Sequence, residues 1–206
     1  MKVLMLNGSP HKEGVCALAL SLFASVLEEE GVESEILEVG DKDIRGCMAC
    51  SFCRKENRCV TYDLVNIAGE KLKESDGLVL ASPVYFASAN GTLISFLDRL
   101  FYSTSAIDKR MKVGCSLVSC RRGGASATFD ELNKYFTISE MPIVSSRYWN
   151  SIHGNTREEA LKDEEGLITI RQLARNMAFM MKCIREREEK EGLPKKEESI
   201  HTNFIR

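Results

Sequence analysis

Lys2-Val3-Leu4-Met5-Leu6-Asn7-Gly8-Ser9-Pro10-His11-Lys12-Glu13-Gly14-Val15-Cys16 opens the chain with a short apolar run that stops at a glycine, serine and proline turn. A run this short, closed by such a turn, predicts a buried strand. From Cys16 to Glu30 the apolar residues Leu18, Leu22, Phe23, Val26 and Leu27 recur at helical spacing, and Gly31 follows as a stop signal. The same alternation continues outward. Ile36, Leu37 and Val39 make a second strand, and beyond a cysteine-rich insert at 43–60 the residues Leu64, Ile67, Ala68 and Leu72 mark a helix. Gly77 to Ala81 is a third strand, Ser82 to Phe86 a loop, and Leu93, Ile94, Leu97 and Leu100 a helical stripe. Met111 to Ser119 is a fourth apolar run, followed by a helical stretch through Phe136, and Pro142 to Tyr148 is a fifth. Five such alternations predict an α/β fold: a doubly wound, five-stranded parallel sheet with helices on both faces.

The 206 residues fit one domain, and 44% hydrophobic content is enough for a core. Residues 1–192 form that domain and 193–206 a polar tail, in which Ile200, Phe204 and Ile205 could dock on another subunit. A short acidic helix is expected from Thr156 to Gly166 and a longer one from Leu167 to Lys190. A formal charge of -2 excludes the broad positive field that nucleic acid or an anionic membrane would need. The first strand begins at Lys2, leaving no room for a signal peptide, and no apolar stretch is long enough to span a membrane. A cytoplasmic protein is expected. Its eight cysteines then have no reason to form a disulfide framework, because the cytosol keeps thiols reduced.

In a doubly wound sheet the loops after the carboxyl ends of the strands converge, and ligands bind there. Three such loops carry unusual chemistry. The first, Asn7 to Cys16, brings backbone N–H groups, the Ser9 hydroxyl, His11 and Lys12 to a positive helix N-terminus, which suits a phosphate. It lacks the Gly-Lys-Ser/Thr of a Walker A loop and the spacing of the dinucleotide fingerprint, so a monophosphate is expected rather than a pyrophosphate. The second places Tyr85 and Phe86 after Pro83 and Val84, where a strand's end presents aromatic faces to a flat ring. The third offers Ser119, Arg121, Gly123 and Gly124, whose glycines allow close backbone approach.

Asn7-Gly8-Ser9-Pro10, Ser82-Pro83-Val84-Tyr85-Phe86 and Phe96-Leu97-Asp98-Arg99 together resemble the NADPH-dependent FMN reductase group of flavodoxin-like proteins. The resemblance extends over Lys2 to Gly124 and more loosely through Trp149-Asn150 and His153-Gly154. It implies a flavodoxin-like strand order of 2-1-3-4-5 and FMN as cofactor, with Ser9, His11, Gly14, Val15 and Cys16 at the phosphate. His11 stands where an arginine is usual, and Val15-Cys16 replaces a more polar pair. It further implies an oxidoreductase taking electrons from NAD(P)H and passing them to a small acceptor such as a quinone, a nitroaromatic or flavin. The flavin performs the chemistry, so no catalytic side chain is assigned.

Cys47, Cys50, Cys53 and Cys59 form a C-x2-C-x2-C-x5-C pattern. Four thiolates can complete a [4Fe-4S] cluster or a tetrahedral zinc site; the tight spacing favours iron, because structural zinc usually pairs two knuckles across a longer insert. The segment resembles the cysteine motif of iron-sulfur flavoproteins, a branch of the same superfamily in which a cluster exchanges electrons with FMN. That resemblance implies an electron carrier supplied by a ferredoxin-like partner. Relatives with a similar segment and no cluster leave open thiols that are free, paired or simply small and apolar, and a cysteine-based redox or metal sensor is a further alternative. Cys115, Cys120 and Cys183 are read as core residues, with Cys120 near the third loop. Asp98-Arg99 reads as a helix-face or subunit-contact ion pair, His153 as structural or surface, and Met177, Met180 and Met181 as packing. The helix-rich last quarter, together with the resemblance, leads to an expected homodimer or homotetramer.

Overall fold

A computed structural model describes residues 1–198 together with Ile200, Thr202 and Phe204. Its parallel sheet is built from β1 (Lys2–Asn7), β2 (Glu33–Glu38), β3 (Gly77–Tyr85), β5 (Val113–Cys120) and β6 (Ser151–His153), with β4 (Ser88–Ala89) turned back antiparallel on the end of β3. The order across the sheet is β2-β1-β3-β5-β6. Counting only the parallel strands, this is the expected 2-1-3-4-5 order; the short β4 shifts the labels. Side chains alternate across each strand, so Val3, Met5, Val79, Ala81, Cys115 and Leu117 face one layer while Leu4, Leu6, Leu78, Leu80 and Val118 face the other. The first layer is covered by α1 (Val15–Glu29) and α7 (Glu164–Glu191), the second by α3 (Leu64–Glu74), α4 (Gly91–Ser103) and α5 (Ala125–Thr137). Two short helices, α2 (Cys53–Glu56) and α6 (Arg157–Ala160), lie in the connections.

The fifth strand is not where the apolar run predicted it. Pro142 to Tyr148 touches the sheet only around Ile143, where Val144 N–H donates to Gly114 O at 2.9 Å, and then leaves it. Ser146 Oγ bonds Tyr148 O and Asn150 Oδ1, both at 2.7 Å. That local side-chain bonding competes with a ladder, and the chain rejoins β5 only at Ser151. The third strand also runs on through Ser82 to Tyr85 instead of ending at Ala81, because Pro83 and Val84 still lie along β5 and β4. The long C-terminal helix matches expectation and buries Met177 and Met181, with Met180 packed at the margin. Cys183 corrects the core assignment: it is exposed on α7, while Cys115 and Cys120 are buried. Ile200 and Phe204 are exposed, and Ile205 lies outside the described residues. Among the described residues no helix is long and apolar enough to cross a membrane.

Candidate functional site

The carboxyl ends of β1, β3 and β5 bring the three loops to one edge. In the first, Asn7 Oδ1 accepts from Ser9 N–H at 3.0 Å and Ser9 Oγ accepts from His11 N–H at 3.2 Å, so two successive side-chain turns shape the loop. Ser9 is buried, and its hydroxyl proton remains free to donate. α1 then begins at Val15 behind Gly14 with no side-chain cap. α3, α4, α6 and α7 are capped by Asp63, Asn90, Thr156 and Asp163, while α5 begins behind Gly124, also without a side-chain cap. Two uncapped helices therefore start at this edge, their first N–H groups still without an intrahelical acceptor. An anion such as the FMN phosphate fits the α1 end.

Cys16 contributes backbone only. Its sulfur is 3.1 Å from Ser119 Oγ in the interior, and burial pushes the thiol up to about 12, so it remains a neutral thiol joining the first loop to the third. Val15 is likewise buried, whereas the His11 and Lys12 side chains are exposed, Lys12 pairing with Asp41 at 3.3 Å.

The second loop is a two-residue hairpin. Tyr85 pairs with Ser88, and Phe86 and Ala87 at its tip have φ of 52° and 60°. Both belong to the left-handed region that such a turn demands and that glycine or asparagine usually fills. The Glu131 carboxylate on α5 offsets this strain by accepting from Ser88 Oγ at 2.9 Å and from Ala89 N–H at 2.8 Å. Gly124 closes the base: with φ of 91°, it sits where a Cβ would lie 3.0 Å from Ala87 Cα. The result is a fully exposed Phe86 ring and a half-exposed Tyr85 held above the edge, beside the exposed Arg121 and Gly123.

The four-cysteine segment packs against α4. Cys47, Cys50, Cys53 and Cys59 line one cavity of about 20 Å³ together with Arg99 and Tyr102. Cys53 is buried, Cys59 half-buried, and Cys47 and Cys50 form the exposed outer wall. Burial first, then the neighbouring Cys50, Cys59 and Cys47 thiols, push the Cys53 thiol up. Among the described residues no three ligating side chains converge on the position of a single metal ion. An all-sulfur donor set spread around a cavity suits the corners of a cluster better than the centre of a zinc tetrahedron. A larger cavity of about 770 Å³ adjoins, bounded by Cys47, Phe101, Tyr102, Tyr135 and Ile138.

A family model for NADPH-dependent FMN reductase matches residues 1–156. The chain belongs to this family. Within the FMN reductase family it is similar to an iron-sulfur flavoprotein of Methanocaldococcus jannaschii, 31% identical over 193 residues that cover 90% of this chain and 100% of that protein. An iron-sulfur flavoprotein of Methanosarcina thermophila is 26% identical over 194 residues, covering 92% and 100%. Among solved structures, RosB with bound 8-demethyl-8-formylriboflavin-5'-phosphate superposes with a TM-score of 0.71 at 18% identity, covering 100% of this chain and 94% of that one. The protein is thus an oxidoreductase of an FMN-dependent flavoprotein family on a flavodoxin-like fold.

Of two residues important to this FMN reductase fold, Gly40 was missed in the sequence and Arg99 was given the wrong setting. Gly40, just after β2, packs so closely on the first loop that a Cβ there would lie 2.3 Å from Gly8 O. A glycine at a strand's carboxyl end, beside a loop that needs close approach, was the available signal. Arg99 does not pair with Asp98. Its Nη1 is 2.7 Å from Asp63 Oδ2, while Asp98 accepts from Tyr135 Oη at 2.6 Å. Nothing in the local sequence marks Arg99 as a partner of the cysteines, since the contact joins residues 40 apart.

Proposed function

We propose that this protein is an electron-transfer flavoprotein with two redox groups, a ferredoxin-like donor and a small acceptor. FMN would be held by Ser9, His11, Gly14, Val15 and Cys16 at its phosphate, and by Pro83, Val84, Tyr85, Phe86, Ser119, Arg121, Gly123 and Gly124 around its ring. A [4Fe-4S] cluster would be held by Cys47, Cys50, Cys53 and Cys59. Four sulfurs lining one cavity carry this reading, and the similarity to two iron-sulfur flavoproteins supports it. Bound FMN supplies hydride and one-electron chemistry and a cubane one-electron transfer. The chain's own part would be to bind and orient the flavin: the uncapped end of α1 would receive the phosphate, and the Glu131-braced hairpin fixes the aromatic edge.

The family match favours a second reading, in which the donor is NAD(P)H and the acceptor a quinone, a nitroaromatic or free flavin. For either reading a homodimer or homotetramer is proposed, supported by the exposed Ile138 and Phe179. Stopped-flow reduction of anaerobically prepared protein separates the donors. The first reading predicts fast bleaching of the flavin by a reduced ferredoxin, lost in Cys50→Ala, and slow bleaching by NADPH. Fast reduction by NADPH that Cys50→Ala leaves unchanged would favour the second.

A further inference from the structure

Arg99 lies on α4 at 2% exposure, deep enough that every polar atom of its guanidinium needs a partner. Its Nε and Nη2 donate to Cys59 Sγ at 3.3 and 3.2 Å. Nη1 and Nη2 form a fork with Asp63 Oδ2 and Oδ1 at 2.7 and 2.9 Å, and Nη2 reaches Thr61 O at 3.1 Å and Nη1 reaches Arg45 O at 3.4 Å. Resting on the proposal that the four cysteines hold a cluster, we infer that Arg99 is its positioning residue: it fixes the Cys59 sulfur and, through two N–H···S bonds, raises the cluster's reduction potential.

The placement follows from which atoms the guanidinium ties. Arg45 precedes the first cysteine and Thr61 follows the last, so one side chain closes both ends of the segment. The segment needs such a tie, because Ala49, Ser51 and Asn57 all have positive φ, at 53°, 58° and 53°. The left-handed region is unfavourable for residues with a Cβ, so the loop's own backbone preference does not hold its shape. Asn66 adds a second tie: its Oδ1 accepts from Cys59 N–H at 2.8 Å, and its Nδ2 donates to Cys59 O at 3.1 Å. Cys59 is thereby fixed at both backbone and sulfur, while Cys47 and Cys50 stand on the exposed wall. The fork is specific to arginine; a lysine at this position would keep the charge and lose the geometry.

The potential follows from charge. One-electron reduction makes a cluster more negative, and donors and cations aimed at a ligand sulfur stabilise that form. Asp63 opposes the effect, because its carboxylate neutralises part of the guanidinium charge. The two residues must therefore move the potential in opposite directions.

The test uses anaerobically reconstituted full-length protein: wild type, Arg99→Lys, Arg99→Met and Asp63→Asn. Iron and FMN are counted per chain, and the midpoint potential is read by an EPR-monitored dithionite titration. Arg99→Met is expected to shift the one-electron equilibrium about tenfold toward the oxidised cluster, or about 59 mV downward. Arg99→Lys should shift less in the same direction, and Asp63→Asn upward. Should neither Arg99 variant retain iron, the upward shift in Asp63→Asn still supports the inference and an unchanged one overturns it. Iron-loaded Arg99→Met at the wild-type potential, or Asp63→Asn moving downward with it, would refute it while leaving the cluster proposal intact. An iron-free wild type brings down both.

Discussion

Replacing Gly40 with alanine places a Cβ 2.3 Å from Gly8 O and 2.3 Å from the Ser9 carbonyl carbon. Non-bonded carbon atoms rest at about 3.5 Å, so the two strands of backbone must part by about 1 Å. Neither neighbour is the free end of a side chain. Gly8 N–H is tied to Ala81 O at 2.8 Å, and Gly40 N–H to Asn7 O at 3.0 Å, so the strain falls on the first loop, which is proposed to hold the phosphate. A shift of about 1 Å carries an N–H···O bond from roughly 2.9 Å to beyond bonding range. Loss of one hydrogen bond to a charged phosphate costs about 1.5–3 kcal/mol, which raises the Kd for FMN about 10- to 150-fold. Riboflavin, having no phosphate, should lose much less. Fluorescence-quenching titrations of apoprotein with both ligands measure the difference. Gly91→Ala is the control, because a Cβ at that first residue of α4 meets nothing within 4 Å. Unchanged FMN affinity in Gly40→Ala, or an equal loss for the two ligands, would refute the assignment of this loop to the phosphate.

Ser9→Ala combined with His11→Ala should also weaken FMN more than riboflavin, and calorimetric titration of the two ligands would show it. Glu131→Ala removes the acceptor for Ser88 Oγ and Ala89 N–H, so the hairpin that carries Phe86 should loosen; we expect about 1 kcal/mol of lost stability and faster flavin dissociation. The Glu35 carboxyl is held below the usual range by hydrogen bonds from Lys71 and then Lys2. Its contribution is therefore present above the unfolded value, near pH 4.3, and lost as pH falls through the lower folded value. These partly exposed groups contribute only about 0.5 kcal/mol, so Glu35→Gln should cost that much in urea unfolding at pH 7 and progressively less in acid. Cys183 is exposed while Cys16 is buried with its thiol pushed up to about 12, so native alkylation at pH 8 should label Cys183 and spare Cys16.

The sheet was legible because its signals are local. Each strand from Lys2, Ile36, Gly77 and Met111 is an apolar run bounded by a turn, and parallel strands buried on both faces read in that way. Pro142 to Tyr148 failed because its apolar character comes from packing beside β5, whereas Ser146 bonds its own loop and keeps that stretch off the ladder. The loops of the candidate site could be found from residue types at strand ends. Their bracing could not: Gly40 against Gly8, Glu131 under Ser88 and Arg99 on Cys59 are contacts between distant segments, and no short-range pattern encodes them. Cys183 shows the converse limit. An apolar run does not bury every member: Cys183 stands two residues past Met181, about half a turn round the helix, and faces away from the side that buries Met177 and Met181.

Iron and acid-labile sulfide counted per chain after anaerobic reconstitution test the two-group account most directly. The account predicts about four of each, with about one FMN, and a lower iron content in Cys47→Ala, Cys50→Ala, Cys53→Ala and Cys59→Ala but not in Cys183→Ala. Wild-type protein that retains its FMN yet takes up no iron under these conditions would contradict it.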